Sequence, residues 1–198
     1  MQPIADAQLV CISNFPVATY SGMLPGVLAG QYPPERMEID LVRLCASVGA
    51  RLILDTVTGI DREHRQIQFK SRPDLHYDVL SIGIGSKPNM SNVDAKPGAL
   101  LAIKPMQSFL ERLRKRLKKL RVVAEERPLR VGIVGGGAGG VEIAFCLPKR
   151  IELELAAWGV KFPHAEMHLF QSRKRLVPGM YDATADMVKQ ELLSLIHI

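Results

Sequence analysis

Val131–Phe145 reads VGIVGGGAGGVEIAF, and this stretch decides the fold. The apolar run Leu129–Val134 predicts a buried strand. Gly135-x-Gly137-x-x-Gly140 follows at once, and Val141–Ala157 predicts a helix, interrupted or kinked at Pro148. Glu166–Phe170 predicts the next strand, completing one βαβ unit. Framed by strand and helix, the glycines have separate physical tasks. Gly135 permits the tight turn. Gly137 has no side chain, so a pyrophosphate can approach the backbone, with Ala138 beside it in the same turn. Gly140 lets the helix pack close to the strand. A phosphate then rests on free N–H groups at the positive end of the helix. The competing reading is a glycine-rich turn that holds no ligand.

The ribose-reading position of such a unit falls at the end of its second strand, where a carboxylate would accept hydrogen bonds from both ribose hydroxyls. Here the strand ends in Gln171, followed by Ser172, Arg173, Lys174 and Arg175. Gln171 can bond a ribose but carries no charge, and the cations beside it suit a 2′-phosphate. NAD and NADP both stay open.

Upstream, Ala7–Ile12 predicts a short buried strand and Ser13–Pro34 a loop with one helical turn, punctuated by proline and glycine. Asp40–Val48 has helical apolar spacing, with Asp40 as N-cap and Gly49 as the residue past its end. Arg51–Thr58, Arg65–Lys70 and Tyr77–Gly83 predict strands, the last a buried one. In Met106–Val122 the leucines Leu110, Leu113, Leu117 and Leu120 share one face of an amphipathic helix.

The composition is that of an ordinary globular chain: 198 residues, 47% hydrophobic and 23% charged, which excludes disordered and collagen-like classes. The net charge of +6 would suggest nucleic acid, but Lys104–Arg121 holds eight basic residues against one acid. The remainder is close to neutral, so we expect a solvated basic helix and no nucleic-acid partner; a membrane surface or acidic partner is the other reading of that helix. Cys11, Cys45 and Cys146 are far apart, with no CxxC pair, and read as core residues. The odd count and the lack of a leader predict a reducing, cytoplasmic compartment. His64, His76, His164, His168 and His197 show no metal-ligand spacing, so no metal is expected. No stretch is apolar enough for a membrane span.

The order of these features, with the runs TYSGMLPGVLAGQY, YDVLSIGIGSKP and VGIVGGGAGGVEIAF, resembles the two-dinucleotide flavoproteins, the pyridine nucleotide-disulfide oxidoreductases. Within them it is most similar to the type II NADH dehydrogenase and sulfide:quinone reductase branch. Thr19–Tyr32 and Ile39–Ile53 are most similar to the flavoprotein module fused to bacterial selenide, water dikinase. The resemblance implies an α/β fold of two Rossmann-like dinucleotide-binding domains of the three-layer ββα type, both incomplete here. Residues 1–103 would be a partial FAD-binding domain lacking its first βα unit, 104–127 the basic connecting helix, and 128–198 a partial NAD(P)-binding domain. The last residues, Ser194–Ile198, fit no family pattern.

The resemblance also implies site residues. Ser13 stands where the family has an acidic ribose contact, Val57 where it has an adenine-side backbone contact, and Gly85 where a glycine ends a strand against FAD. Glu142 stands near the nicotinamide, and Leu24, Pro25 and Gly26 match a loop near the flavin. No residue matches a family redox cysteine, so no catalytic residue is assigned. The implied activity is transfer of hydride from NAD(P)H to FAD and on to an acceptor, a quinone or a selenium compound. The alternatives are an NADH:quinone-type dehydrogenase and a non-catalytic nucleotide-binding fragment.

Overall fold

Contacts group the chain into two units that are not consecutive in sequence, in a computed structural model that describes residues 6–86, 88–89, 93–96 and 98–196. One unit joins the residues up to Tyr20 with Glu38–Gln107, the other Ser21–Met37 with the chain from Ser108 onward. In chain order the elements are β1 (Val10–Ser13), β2 (Val17–Thr19), α1 (Leu24–Leu28), β3 (Glu38–Asp40), α2 (Leu41–Ser47) and β4 (Arg51–Leu54). Then come β5 (Val57–Asp61), β6 (Gln66–Phe69), β7 (Leu75–His76), α3 (Phe109–Glu126), β8 (Leu129–Val134), α4 (Ala138–Ala157), β9 (Ala165–Phe170) and α5 (Asp182–Leu195). His197 and Ile198 lie outside the described residues.

In the first unit β1 and β4 pair in parallel, from Val10 opposite Arg51 to Ser13 opposite Leu54. β5, β6 and β7 form an antiparallel meander. Ile53 of β4 and Ile67 and Phe69 of β6 are buried together, with Val10, Ile12, Leu75, Tyr77 and Leu80 packed against them. β2 pairs antiparallel with β3, Val17 opposite Asp40. The Asp40 carboxylate accepts the Arg43 N–H at 3.0 Å and so caps α2, whose inner face buries Leu41 and Cys45. Gly49, at φ +67°, takes the left-handed turn after the helix, as its sequence position predicts.

Three sequence expectations change here. Arg51–Thr58 is two strands in different sheets, because the Asp55 carboxylate accepts the Thr56 N–H and the Ser71 hydroxyl and turns the backbone between them. Ser13–Pro34 is more ordered than a loop, since β2 and α1 lie within it. Tyr77–Gly83 is not a buried strand: it forms no ladder, and Val79 and Ile82 are 91% and 60% exposed. An apolar run becomes a strand only where a neighbour takes its backbone hydrogen bonds. Among the described residues the Tyr77 N–H is taken by the Arg65 carbonyl at 2.9 Å, and beyond it no partner strand pairs with this run.

In the second unit β8 and β9 pair in parallel, from Leu129 opposite Ala165 to Val134 opposite Phe170. α4 packs on both strands and is continuous over 20 residues with Pro148 inside it, so the helix is not interrupted there. A proline costs one intrahelical bond. The buried face around it, Ala144, Leu147, Ile151 and Leu155, holds the helix together across that gap. α1 buries Leu24, Val27 and Leu28 against α4. Gly26 leaves room there: a Cβ would sit 2.6 Å from the Tyr32 ring. The Arg150 guanidinium donates to the Val27 carbonyl, closing the end of α1 onto α4. Glu154 accepts from Arg114 of α3 at 2.8 Å and forms an ion pair with Arg150, so one carboxylate ties α3 to the same helix.

α3 buries Phe109, Leu113, Leu117 and Ala124 and turns Lys115, Lys118, Lys119 and Arg121 to solvent. Among the described residues no helix is long and apolar enough to cross a membrane. Changing those four cations together to Gln should leave urea-unfolding midpoints nearly unchanged, since exposed charges contribute about 0–1 kcal/mol each. Leu117→Ala, by contrast, should cost about 2–5 kcal/mol in the same measurement, as buried leucine truncations do.

Candidate functional site

The turn between β8 and α4 is built by three different glycine constraints. Gly135 sits at φ +119°, which an L side chain rarely adopts, and its N–H donates to the Phe170 carbonyl of β9 at 2.8 Å. A Cβ at Gly140 would overlap the Gly135 carbonyl oxygen and lie 3.0 Å from its carbon, so the first turn of α4 rests directly on the turn backbone. Gly137 is the N-cap of α4, with extended backbone at φ −75° and ψ 175°. A Cβ there, or at Gly139, would meet nothing within 4 Å. The space in front of Gly137 and Ala138 is therefore open, at the N-terminal end of a 20-residue helix and the carboxyl ends of β8 and β9. The first amides of a helix have no intrahelical acceptor, and the helix dipole favours an anion there. A cradle that side chains would fill fits a dinucleotide pyrophosphate.

Gln171 is brought to this turn. A Cβ at Gly136 would overlap its side-chain oxygen and lie 2.9 Å from its Cδ and from Leu176 Cδ2. The Val177 N–H donates to the Gly136 carbonyl at 2.7 Å, so the loop after β9 is held against the turn at both ends. Sequence reasoning missed Gly136 and the Leu176–Val177 strap. The run of three consecutive glycines, with Gly136 in its middle, was the only signal for the first, and a backbone bond leaves none for the second. Glu142 lies on the same helix, exposed, one turn before Cys146. Burial and the nearby Glu142 carboxylate push the Cys146 thiol up. Burial and the neighbouring Cys45 thiol do the same to Cys11. Cys11 and Cys146 are half-buried, and Cys45 is buried.

Ser13, Val57 and Gly85 belong to the first unit. Ser13 ends β1; its hydroxyl accepts the Phe15 N–H at 3.1 Å and its carbonyl the Asp55 N–H at 3.1 Å. Val57 opens β5 beside a register shift and is exposed. Gly85 has φ +65°, which explains the glycine, and Lys104 Nζ lies 3.7 Å from where its Cβ would be. Lys104 donates to Ser86 at 3.3 Å. Asp55, unremarked in the sequence, lies beside Ser13 at the carboxyl edge of the β1–β4 sheet. Partial burial opposes its ionisation, but the Ser71 hydroxyl, the Thr56 N–H and the Arg72 guanidinium outweigh that and hold its carboxyl below the usual carboxylate range.

Residues 6–195 match the family of pyridine nucleotide-disulphide oxidoreductases. Demethylphylloquinone reductase NdbB of Synechocystis is 31% identical over 114 residues, 56% of this chain and 28% of that protein. NDH2 of Plasmodium falciparum, solved in complex with NADH, superposes with a TM-score of 0.80 at 20% identity, covering 96% of this chain and 42% of that one. An NAD-dependent persulfide reductase from A. fulgidus gives 0.72 at 18% identity, covering 98% and 35%. The chain thus spans less than half the length of these relatives, and the structures share the α/β dinucleotide-binding fold with it.

Two stability outcomes follow from the glycines and the carboxylate. Gly140→Ala should destabilise the second unit severely, because backbone must move, while Gly137→Ala should change stability by no more than about 1 kcal/mol. Thermal unfolding of the two variants side by side reads this contrast. Asp55, whose folded-state affinity for protons is lowered, contributes stability that is present above the carboxylate range and lost as pH falls through it. Asp55→Asn should therefore flatten the loss of stability between about pH 5 and about pH 3.

Proposed function

The chain belongs to the pyridine nucleotide-disulphide oxidoreductase family, and we propose that it serves there as the nucleotide-binding part of an FAD-dependent NAD(P)H oxidoreductase. The observation that carries this reading is the open, side-chain-free N-terminus of α4 at Gly137, clamped to β8 by the Gly140–Gly135 contact. Gly137, Ala138 and Gly140 would hold the NAD(P) pyrophosphate by backbone N–H groups in the turn that Gly135 makes, Gln171 would bond the adenosine ribose, and Glu142 would lie toward the nicotinamide. Ser13, Val57 and Gly85 would supply backbone edges and one hydroxyl to FAD in the segment 1–103, with the NAD(P) site in 128–198. When bound, NAD(P)H supplies a hydride and FAD accepts it for passage to an acceptor. The protein's part is to orient both nucleotides and to keep side chains out of the phosphate path.

A quinone is the acceptor we favour, because the relative with 31% identity is named a demethylphylloquinone reductase. The exposed cations of α3 would then suit peripheral contact with an anionic membrane surface. A selenium compound is the second reading; it rests on the likeness of Thr19–Tyr32 to the selenide, water dikinase flavoprotein module. Within that stretch α1 packs on α4.

The test is nucleotide affinity. Gly137→Val should weaken NAD(P)H binding by more than about tenfold, since any side chain enters the space a pyrophosphate needs. The fold, read by circular dichroism, should be retained. Unchanged affinity by calorimetric titration in a folded variant would overturn this site.

A further inference from the structure

The loop after β9 carries a charge pattern that the site described above leaves unused. We infer that this chain selects the 2′-phosphorylated nucleotide, NADP(H), over NAD(H), through Gln171, Arg173, Lys174 and Arg175. The inference rests on the proposed nucleotide site and specifies which nucleotide it takes.

Position is the first argument. The loop leaves β9 at Gln171, whose side chain lies on Gly136, and returns at Val177, whose N–H bonds the Gly136 carbonyl at 2.7 Å. Leu176 and Val177 are buried beneath it. Residues 172–175 are thus held at the rim of the glycine turn, at the end of the second strand of the βαβ unit, where the adenosine ribose of a bound dinucleotide is read.

Charge is the second. A free 2′-hydroxyl is best recognised by a carboxylate, which accepts its hydrogen bond and repels a phosphate. The residue in that position is Gln171, which accepts a hydrogen bond without repelling an anion. Arg173 and Lys174 are exposed, and neither forms an ion pair among the described residues. Arg175 pairs through one guanidinium nitrogen with Asp182, the first residue of α5, which fixes its direction. The Arg175 side chain is 40% exposed, so its charge adds to those of Arg173 and Lys174 at the rim, where a phosphate would accept charge-assisted hydrogen bonds. Asp182 is the only acid between Gln171 and Asp182, and it is already paired. A hydroxyl in the same place could accept a hydrogen bond but carries no charge to balance these cations.

The experiment titrates the full chain with NAD+ and with NADP+ by calorimetry, at low and at high ionic strength. NADP+ should bind at least about tenfold more tightly, the range of a few charge-assisted hydrogen bonds. Its affinity should fall with salt more steeply than that of NAD+. The exposed double variant Arg173→Ala/Lys174→Ala should lose the NADP+ advantage and keep NAD+ affinity. Gln171→Glu should invert the preference. Equal or tighter binding of NAD+ by the unaltered chain would overturn the inference and leave the nucleotide site standing. Binding of neither nucleotide would overturn both. An NADP+ advantage that survives in the double variant would also overturn the assignment to these side chains.

Discussion

The Cα of Gly140 lies against the carbonyl of Gly135 more closely than any side chain would allow, and the second unit is arranged around that approach. It brings the N-terminus of α4 down onto the end of β8. That in turn leaves Gly137 and the start of α4 facing open space, while Gly136 before them is packed against Gln171 and Leu176. A helix placed even one methyl group further away would aim its first amides elsewhere, since packed backbone does not adjust continuously. The Gly135 N–H, bonded to Phe170, ties the same turn to β9, so both strand ends and the helix start share a few atoms of backbone.

α4 is also the support for what surrounds it. Arg150 and Glu154, one turn apart and both largely shielded from water, hold the end of α1 and the side of α3 to the helix. Breaking such a shielded pair by removing one partner typically costs about 3–5 kcal/mol, because the other charge is left without compensation. Arg150 Nε, buried without a partner, already stands as one such cost. The network joins α1 and α3 to the same helix. Arg114 belongs to it, which removes that cation from the otherwise solvated basic face of α3.

The first unit is held differently. Its core is small, centred on Ile53, Ile67 and Phe69, and its polar work is done at strand ends. Asp55 gathers Thr56, Ser71 and Arg72 at the carboxyl edge of β4, next to Ser13 at the same edge of β1. This concentrates local hydrogen bonding where a doubly wound sheet presents its ligands.

Local patterns were legible from the chain alone wherever the constraint was local. The Gly135-x-Gly137-x-x-Gly140 spacing, the strand before it and the helix after it follow from apolar runs and glycine chemistry, and the Asp40 cap and Gly49 terminus follow from side chains three and nine residues apart. Tertiary structure decided what depends on a distant partner. Tyr77–Gly83 has a strand's composition and no ladder, because pairing is a property of two segments. Arg51–Thr58 divides between sheets because Ser71 and Arg72 reach Asp55 from beyond β6. Ser13–Pro34 reads as a loop with one helical turn, yet Leu24–Leu28 within it docks on a helix more than a hundred residues later through Val27 and Arg150. The position of Gln171 over Gly136 likewise required the fold, since a sequence orders residues along one line and a site is defined by the atoms that meet across it.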